Sequence, residues 1–231
     1  MRTIGLIGGM SWESTQLYYR IINQQVKQRL GGLHSAKVNL VSVDFATIAQ
    51  LQHDNDWDGA AAELSKAAIA LESSGAEALM ICTNTMHKVA DTVTQQVSIP
   101  LLHIADATAK QLLADGVKQV GLLGTRFTME QDFYKARLTD HHGIDVIIPS
   151  SAQRELVHSV IYDSLCQGQV KQQDREQYLE VINDLASQGA QAIILGCTEI
   201  GMLITPKDTD IPLYDTTEIH AKSAVDWALS G

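Results

Sequence analysis

The sequence predicts an α/β fold of two similar lobes, each a parallel sheet flanked by helices, pseudo-two-fold related with the active site in the inter-lobe cleft. Three observations predict it. Short strand-like runs alternate with longer stretches at helical spacing, which is the pattern of parallel sheets covered by helices on both faces. Three segments of the first half recur in the second half in the same order. Each half also closes on an Ile-Pro segment, at Ile99-Pro100 and Ile211-Pro212, placed to send the next helix onto the other lobe.

Taken in order, the strand runs are TIGLIGG, VNLVSV, ALMICT, PLLHIA, QVGLLGT, DVIIPS, AIILGC and IPLYD. Ser11, Ser14 and Thr15 follow the first run with the short hydroxyls that cap a helix start. The stretch from Trp57 to Ser74 carries Ala60, Leu64, Ala67, Ala68 and Leu71 on one helical face. The repeat sets IGLIGG (Ile4 to Gly9) on VGLLGT (Val120 to Thr125), GAEALMICTNT (Gly75 to Thr85) on GAQAIILGCTE (Gly189 to Glu199), and IPLLHIAD (Ile99 to Asp106) on IPLYDTTE (Ile211 to Glu218). One such pair is common among βα units; three collinear pairs at nearly equal separations are not. The division that follows is residues 1–98 plus 215–231 as lobe 1 and 99–214 as lobe 2.

Composition narrows the function classes. The 231 residues are 45% hydrophobic and 19% charged with a net charge of -10, ordinary for a globular chain and long enough to bury a core without disulfides or metal. No Lys/Arg block stands out, so nucleic acid and acidic membrane surfaces are not expected partners. The first residues, MRTIGLIGGMSWEST, read as a buried strand rather than a signal peptide, and no apolar run approaches the roughly 20 residues needed to span a bilayer. The three cysteines, Cys82, Cys166 and Cys197, lack CxxC or Cys/His spacing. Free thiols in a cytoplasmic protein are the expectation, with no metal site.

The repeat decides which residue of MICTNTMH (Met80 to His87) is the chemical one. With Gly75 on Gly189, Cys82 falls on Gly196, Thr83 on Cys197, Asn84 on Thr198 and Thr85 on Glu199. Successive strand residues point to opposite faces, so if Cys197 faces a cleft, Thr83 does too and Cys82 points away. Both members of the pair sit at the carboxyl end of a strand, where open α/β sheets bind ligands. Placed before a helix, Cys197 is expected to feel N–H groups that favour thiolate and to serve as a base.

The stretches GLIGGMSWEST, CTNT at 82–85, LLGTRFTM at 122–129 and GCTEIG at 196–201 resemble the aspartate/glutamate racemase family across essentially the whole chain, with most likeness to its enterobacterial aspartate/glutamate type. That resemblance implies racemisation of acidic amino acids with no cofactor, neither pyridoxal phosphate nor metal, by two thiols flanking the α-carbon. It also implies a homodimer with a small amino-acid substrate as its partner molecule. The second family motif, Gly-Cys-Thr, is intact at Gly196-Cys197-Thr198, whereas the first, Cys-Asn-Thr, is Thr83-Asn84-Thr85. A hydroxyl is a far weaker acid and base than a thiol, and the resemblance, in which the second-lobe cysteine handles the L enantiomer, implies that Cys197 deprotonates the L enantiomer while Thr83 serves the other face slowly. By the same resemblance, Asn84, Thr85, Thr198 and Glu199 hold the α-amino and α-carboxylate groups, Met10 lies near the α-carbon, Thr125 and Thr128 meet a carboxylate, and Gln52 is a candidate for the side-chain end. The one-thiol layout also resembles maleate isomerases and arylmalonate decarboxylases. A binding module for an acidic amino acid is the non-enzymatic alternative.

Several features have plainer explanations. Gly5-Leu6-Ile7-Gly8-Gly9 lacks GxGxxG spacing and reads as tight turns rather than a dinucleotide site. His87, four residues past Thr83, is placed to tune the site as part of the following helix, but it, His103 and His220 are more simply read as solvated or packing histidines, and Cys166 as a buried structural thiol without partners.

Overall fold

In a computed structural model describing residues 1–230, the chain forms two compact units, Met1–Ile104 with His220–Gly231, and Ala105–Ile219. The first unit contains β1 (Ile4–Gly8), α1 (Trp12–Leu30), β2 (Val38–Ser42), α2 (Phe45–His53), α3 (Trp57–Ser73), β3 (Ala78–Ile81) and α4 (Ala90–Thr94). Helix α5 (Ile104–Ala114) leads into the second unit, which holds β4 (Gln119–Gly124), α6 (Arg126–Glu130), α7 (Asp132–His142), β5 (Asp145–Ile147), α8 (Ser151–Asp163), α9 (Gln172–Ser187), β6 (Ala192–Gly196), α10 (Ile200–Leu203) and β7 (Leu213–Asp215). Helix α11 (Thr216–Leu229) starts in the second unit and ends in the first.

All strand pairs are parallel, in the order β2-β1-β3 in one sheet and β5-β4-β6-β7 in the other. Strands β1, β3 and β6 are buried along their whole length, which is why they read as unbroken apolar runs. Their two faces fill different cores. Ile7, Leu79 and Ile81 pack with Ala60, Leu64, Ala67 and Leu71 of α3. Leu6, Met80 and Cys82 pack with Tyr18, Ile22 and Val26 of α1 and with Ala221, Ala224 and Val225 of α11. Each fully buried Leu or Ile in these layers contributes about 2 kcal/mol relative to an exposed one.

The two sheets share one register. Ile4 faces Ala78 and Ile7 faces Ile81 in the first, as Val120 faces Ala192 and Leu123 faces Leu195 in the second, each pair being repeat counterparts. The edge segments correspond too. Leu79 N–H donates to Pro100 C=O, and Ile193 N–H to Pro212 C=O, both at 2.8 Å. The PLLHIA run, expected as a strand, is reduced to a single bridge between Leu79 and Leu101. Its counterpart after Pro212, at the same distance from the following helix, pairs over the three residues Leu213–Asp215.

Candidate functional site

Two strand ends carry the candidate chemistry. In the first unit, β1 turns at Gly9 into α1. Gly9 has φ +93, and a Cβ there would lie 2.2 Å from the Val43 carbonyl oxygen, so only glycine fits this turn. Ser11 caps the helix by accepting from Ser14 N–H at 3.3 Å. Thr15 Oγ1 accepts from Gly9 N–H at 2.8 Å and donates to Ser11 C=O at 2.9 Å. The expected hydroxyl cluster is thus a cap, whereas of the glycines expected as tight turns only Gly9 is in one, Gly5 and Gly8 lying within β1. Ser14 has a second role that nothing in the sequence announced. Its hydroxyl donates to Cys82 C=O at 2.9 Å and ties the first turn to the end of β3.

Cys82 belongs to the interior. It continues the ladder by donating N–H to Ile7 C=O at 2.9 Å, its side chain is fully buried, and burial pushes its thiol far above the ordinary range. Thr83, the next residue, is half-buried, and the chain then enters the 3-10 turn Thr85–Val89. Asn84 and Thr85 are buried at that turn. Met10 is buried in the same core cluster as Met86, and Gln52 Nε2 lies 3.0 Å from Met86 Sδ. Gln52, near the end of α2, is therefore held by the sulfur of Met86 in the 3-10 turn that follows β3.

In the second unit, β4 and β6 end side by side at Gly124 and Gly196. A Cβ on Gly124 would stand 3.0 Å from Gly196 O, and one on Gly196 would stand 2.8 Å from Leu123 O. The two glycines let the backbones close up just before Cys197. Thr125 caps α6, accepting from Thr128 N–H at 3.3 Å, with the two hydroxyls also 3.3 Å apart. The pair is thus preset by the helix start.

Cys197 is half-buried and has charged company. Its Sγ–H donates to Glu199 Oε2 at 2.9 Å, and Thr198 Oγ1 donates to the same oxygen at 2.6 Å. The expected preference for thiolate is reversed. Burial, then the Glu199 carboxylate and Cys166, push the thiol well above its ordinary range. The following helix, α10, is only the four residues Ile200–Leu203, too short to supply a large dipole. Cys166, expected to lack partners, is half-buried, packs on the same apolar cluster as Cys197 and contributes to its electrostatics. Burial and the negative groups around Cys197 also raise Tyr162 and Tyr178. These tyrosines were not singled out in the sequence, because neither spacing nor motif links them to the GCTE turn. Among the described residues no group of three His, Cys, Asp or Glu could hold a metal ion, and no helix is long and apolar enough to cross a membrane.

Comparison with known proteins agrees with this fold. A crystal structure of a Yersinia pestis chain classed with the Asp/Glu racemases is 56% identical, covers 100% of both chains and superposes with a TM-score of 0.94. An aspartate racemase homologue from Pyrococcus horikoshii OT3 is 33% identical over 99% of both chains, with a TM-score of 0.86. A broad specificity amino-acid racemase from Bacillus subtilis (strain 168) is 24% identical over 227 residues, 96% of each chain. The family model for Asp/Glu/hydantoin racemase matches residues 7–224, and the chain belongs to that family of isomerases.

Proposed function

We propose that this protein is a cofactor-independent racemase of acidic amino acids. In it, Cys197 removes the α-proton of the L enantiomer and Thr83 stands at the opposite face. The observation that carries this reading is the shared register of the two sheets, in which Thr83 and Cys197 follow equivalent residues at equivalent strand ends while only one bears a thiol. The thiol is protonated at rest, since burial and the Glu199 carboxylate disfavour its anion. Its 2.9 Å contact supports giving Glu199 the proton as well as, or before, an α-amino group. Transfer of that proton to Oε2 leaves a thiolate, which takes the α-proton and regenerates Sγ–H. The carbanion then accepts a proton from the Thr83 side, directly or through water, and the proton held on Glu199 returns through solvent to that side, which restores both groups. Asn84, Thr85 and Thr198 hold the α-amino and α-carboxylate groups; Thr125 and Thr128 meet a carboxylate; Met10 lines the α-carbon and Gln52 the side-chain end.

The test is α-proton exchange of L- and D-aspartate and L- and D-glutamate in deuterated water, followed by NMR. The L enantiomer should exchange faster than D product accumulates, and faster than the D enantiomer exchanges. Equal exchange of the two enantiomers would remove the asymmetry. Turnover of maleate without amino-acid exchange would favour a single-thiol isomerase, and binding without exchange a ligand-binding module.

A further inference from the structure

We propose that His87 is a positioning residue for Thr83, a neutral imidazole that bridges the Thr83 carbonyl to the first backbone N–H of α5. The inference rests on the reading of Thr83 as the proton-handling group of the first lobe.

His87 lies four residues past Thr83 on the 3-10 turn, so its ring folds back over the end of β3. Nδ1 is 2.8 Å from Thr83 O, and Ile104 N–H donates to Nε2 at 3.3 Å. A carbonyl only accepts and a backbone N–H only donates, so these two contacts fix the tautomer, with the proton on Nδ1 and the lone pair on Nε2. The ring is 3% exposed, and its centroid is 4.5 Å from that of His103 and 5.9 Å from that of His220. His220 is fixed in the same manner. Its Nε2–H donates to Leu102 O at 2.7 Å, and its Nδ1 accepts from the Tyr18 hydroxyl at 2.9 Å. Burial, with His103 and His220 adding to it, holds His87 well below the ordinary imidazole range, so the neutral tautomer persists at working pH.

An apolar side chain of similar volume would fill this space but make neither bond. The repeat supplies a second, independent contrast. Counting on from Cys197 as His87 counts from Thr83 gives Gly201, where a Cβ would lie 2.9 Å from Asp215 Oδ2. The imidazole bridge therefore belongs only to the unit whose strand ends in threonine. A hydroxyl, weak as an acid and base, contributes to proton transfer only when held in line, and small displacements at a reacting centre are costly. Cys197 has a carboxylate at hydrogen-bond distance instead.

The experiment compares His87→Asn, which keeps a donor near the Nδ1 position, with His87→Gln, which keeps an acceptor near Nε2 and loses that donor. L-aspartate and L-glutamate in deuterated water are the probes. The readout is the ratio of D product formed, by chiral chromatography, to α-proton exchange, by NMR. Only folded, exchanging molecules enter the ratio, so a variant of low yield still reports. His87→Gln should lower the ratio about tenfold, the size expected for one lost buried hydrogen bond at a reacting group, and His87→Asn should restore it to within about threefold of the unmodified protein. Equal ratios in all three proteins would overturn the inference and leave a packing role. If the unmodified protein shows no exchange, the racemase reading fails and this inference with it. If exchange is present and Cys197→Ala removes it, but His87→Gln leaves the ratio unchanged, only the role of His87 fails.

Discussion

Thr83 and Cys197 end strands of identical register yet stand in opposite company. Behind Thr83 are three buried histidines, two of them with their tautomers fixed by backbone and tyrosine contacts. Behind Cys197 are a carboxylate, a second thiol and two tyrosines whose ionisation the site suppresses. The difference teaches that backbone frame and chemistry are separable in this fold. Two copies of a βα frame can keep the same hydrogen-bond ladder while one ends in a thiol beside a carboxylate and the other in a hydroxyl residue backed by buried imidazoles. The strand-end glycines, Gly8 and Gly124, belong to the shared frame, whereas His87 and Glu199 belong to one copy each.

The largest effect expected from this contrast is in catalysis. Cys197→Ala should cut α-proton exchange of the L substrate by about a thousandfold, within the range for loss of a general base, while Thr83→Ala should cut it by less than about tenfold. NMR in deuterated water measures both, and equal losses would break the contrast.

Acid stability should separate the two units next. Burial holds His220 down at about 4 in the folded chain, against about 6.5 when unfolded. The unfolded state therefore binds the proton first. The stability from the neutral ring is complete above about pH 6.5 and is lost as pH falls toward 4, on the order of 3 kcal/mol. His87 acts in the same direction. Hydrogen exchange followed from pH 7 to pH 4 should show the amides of β1 and β3 losing protection before those of β4 and β6. Loss in the reverse order would remove the histidine cluster as the distinguishing feature of the first unit.

The smallest contrast lies in the frame. A Cβ on Gly8 would lie 2.4 Å from Thr15 Cγ2, and Thr15 is pinned by two hydrogen bonds. A Cβ on Gly124 would meet Gly196 O at 3.0 Å, a contact that a slight shift relieves. Gly8→Ala should cost about 2–3 kcal/mol and Gly124→Ala about 1 kcal/mol, measured from urea midpoints at constant m-value.

The alternation of strands and helices, the repeat and the placing of Cys82 in the core were legible because they depend on apolar pattern and residue order alone. The shortening of PLLHIA was not, since its counterpart IPLYD has the same proline and the same distance to its helix and yet pairs over three residues. The direction of the Cys197 shift was not legible either. Strand-end position suggested stabilising N–H groups, but the result depends on burial and on a Glu199 rotamer turned back toward the sulfur. His87 left a signal in its spacing from Thr83. That spacing could not reveal that Ile104, far along the chain, donates to the other side of the ring.

The first unit is interrupted by the second, and this sets an order of events during synthesis. The core beneath Leu6, Met80 and Cys82 needs Ala221, Ala224, Val225 and Ala228 from α11, and these leave the ribosome only after residues 105–219 have been made. One face of the first sheet to be translated therefore has only α1 to cover it while a whole second sheet is assembled. A nascent chain halted before α11 should expose that face to chaperones, even with all seven strands already translated.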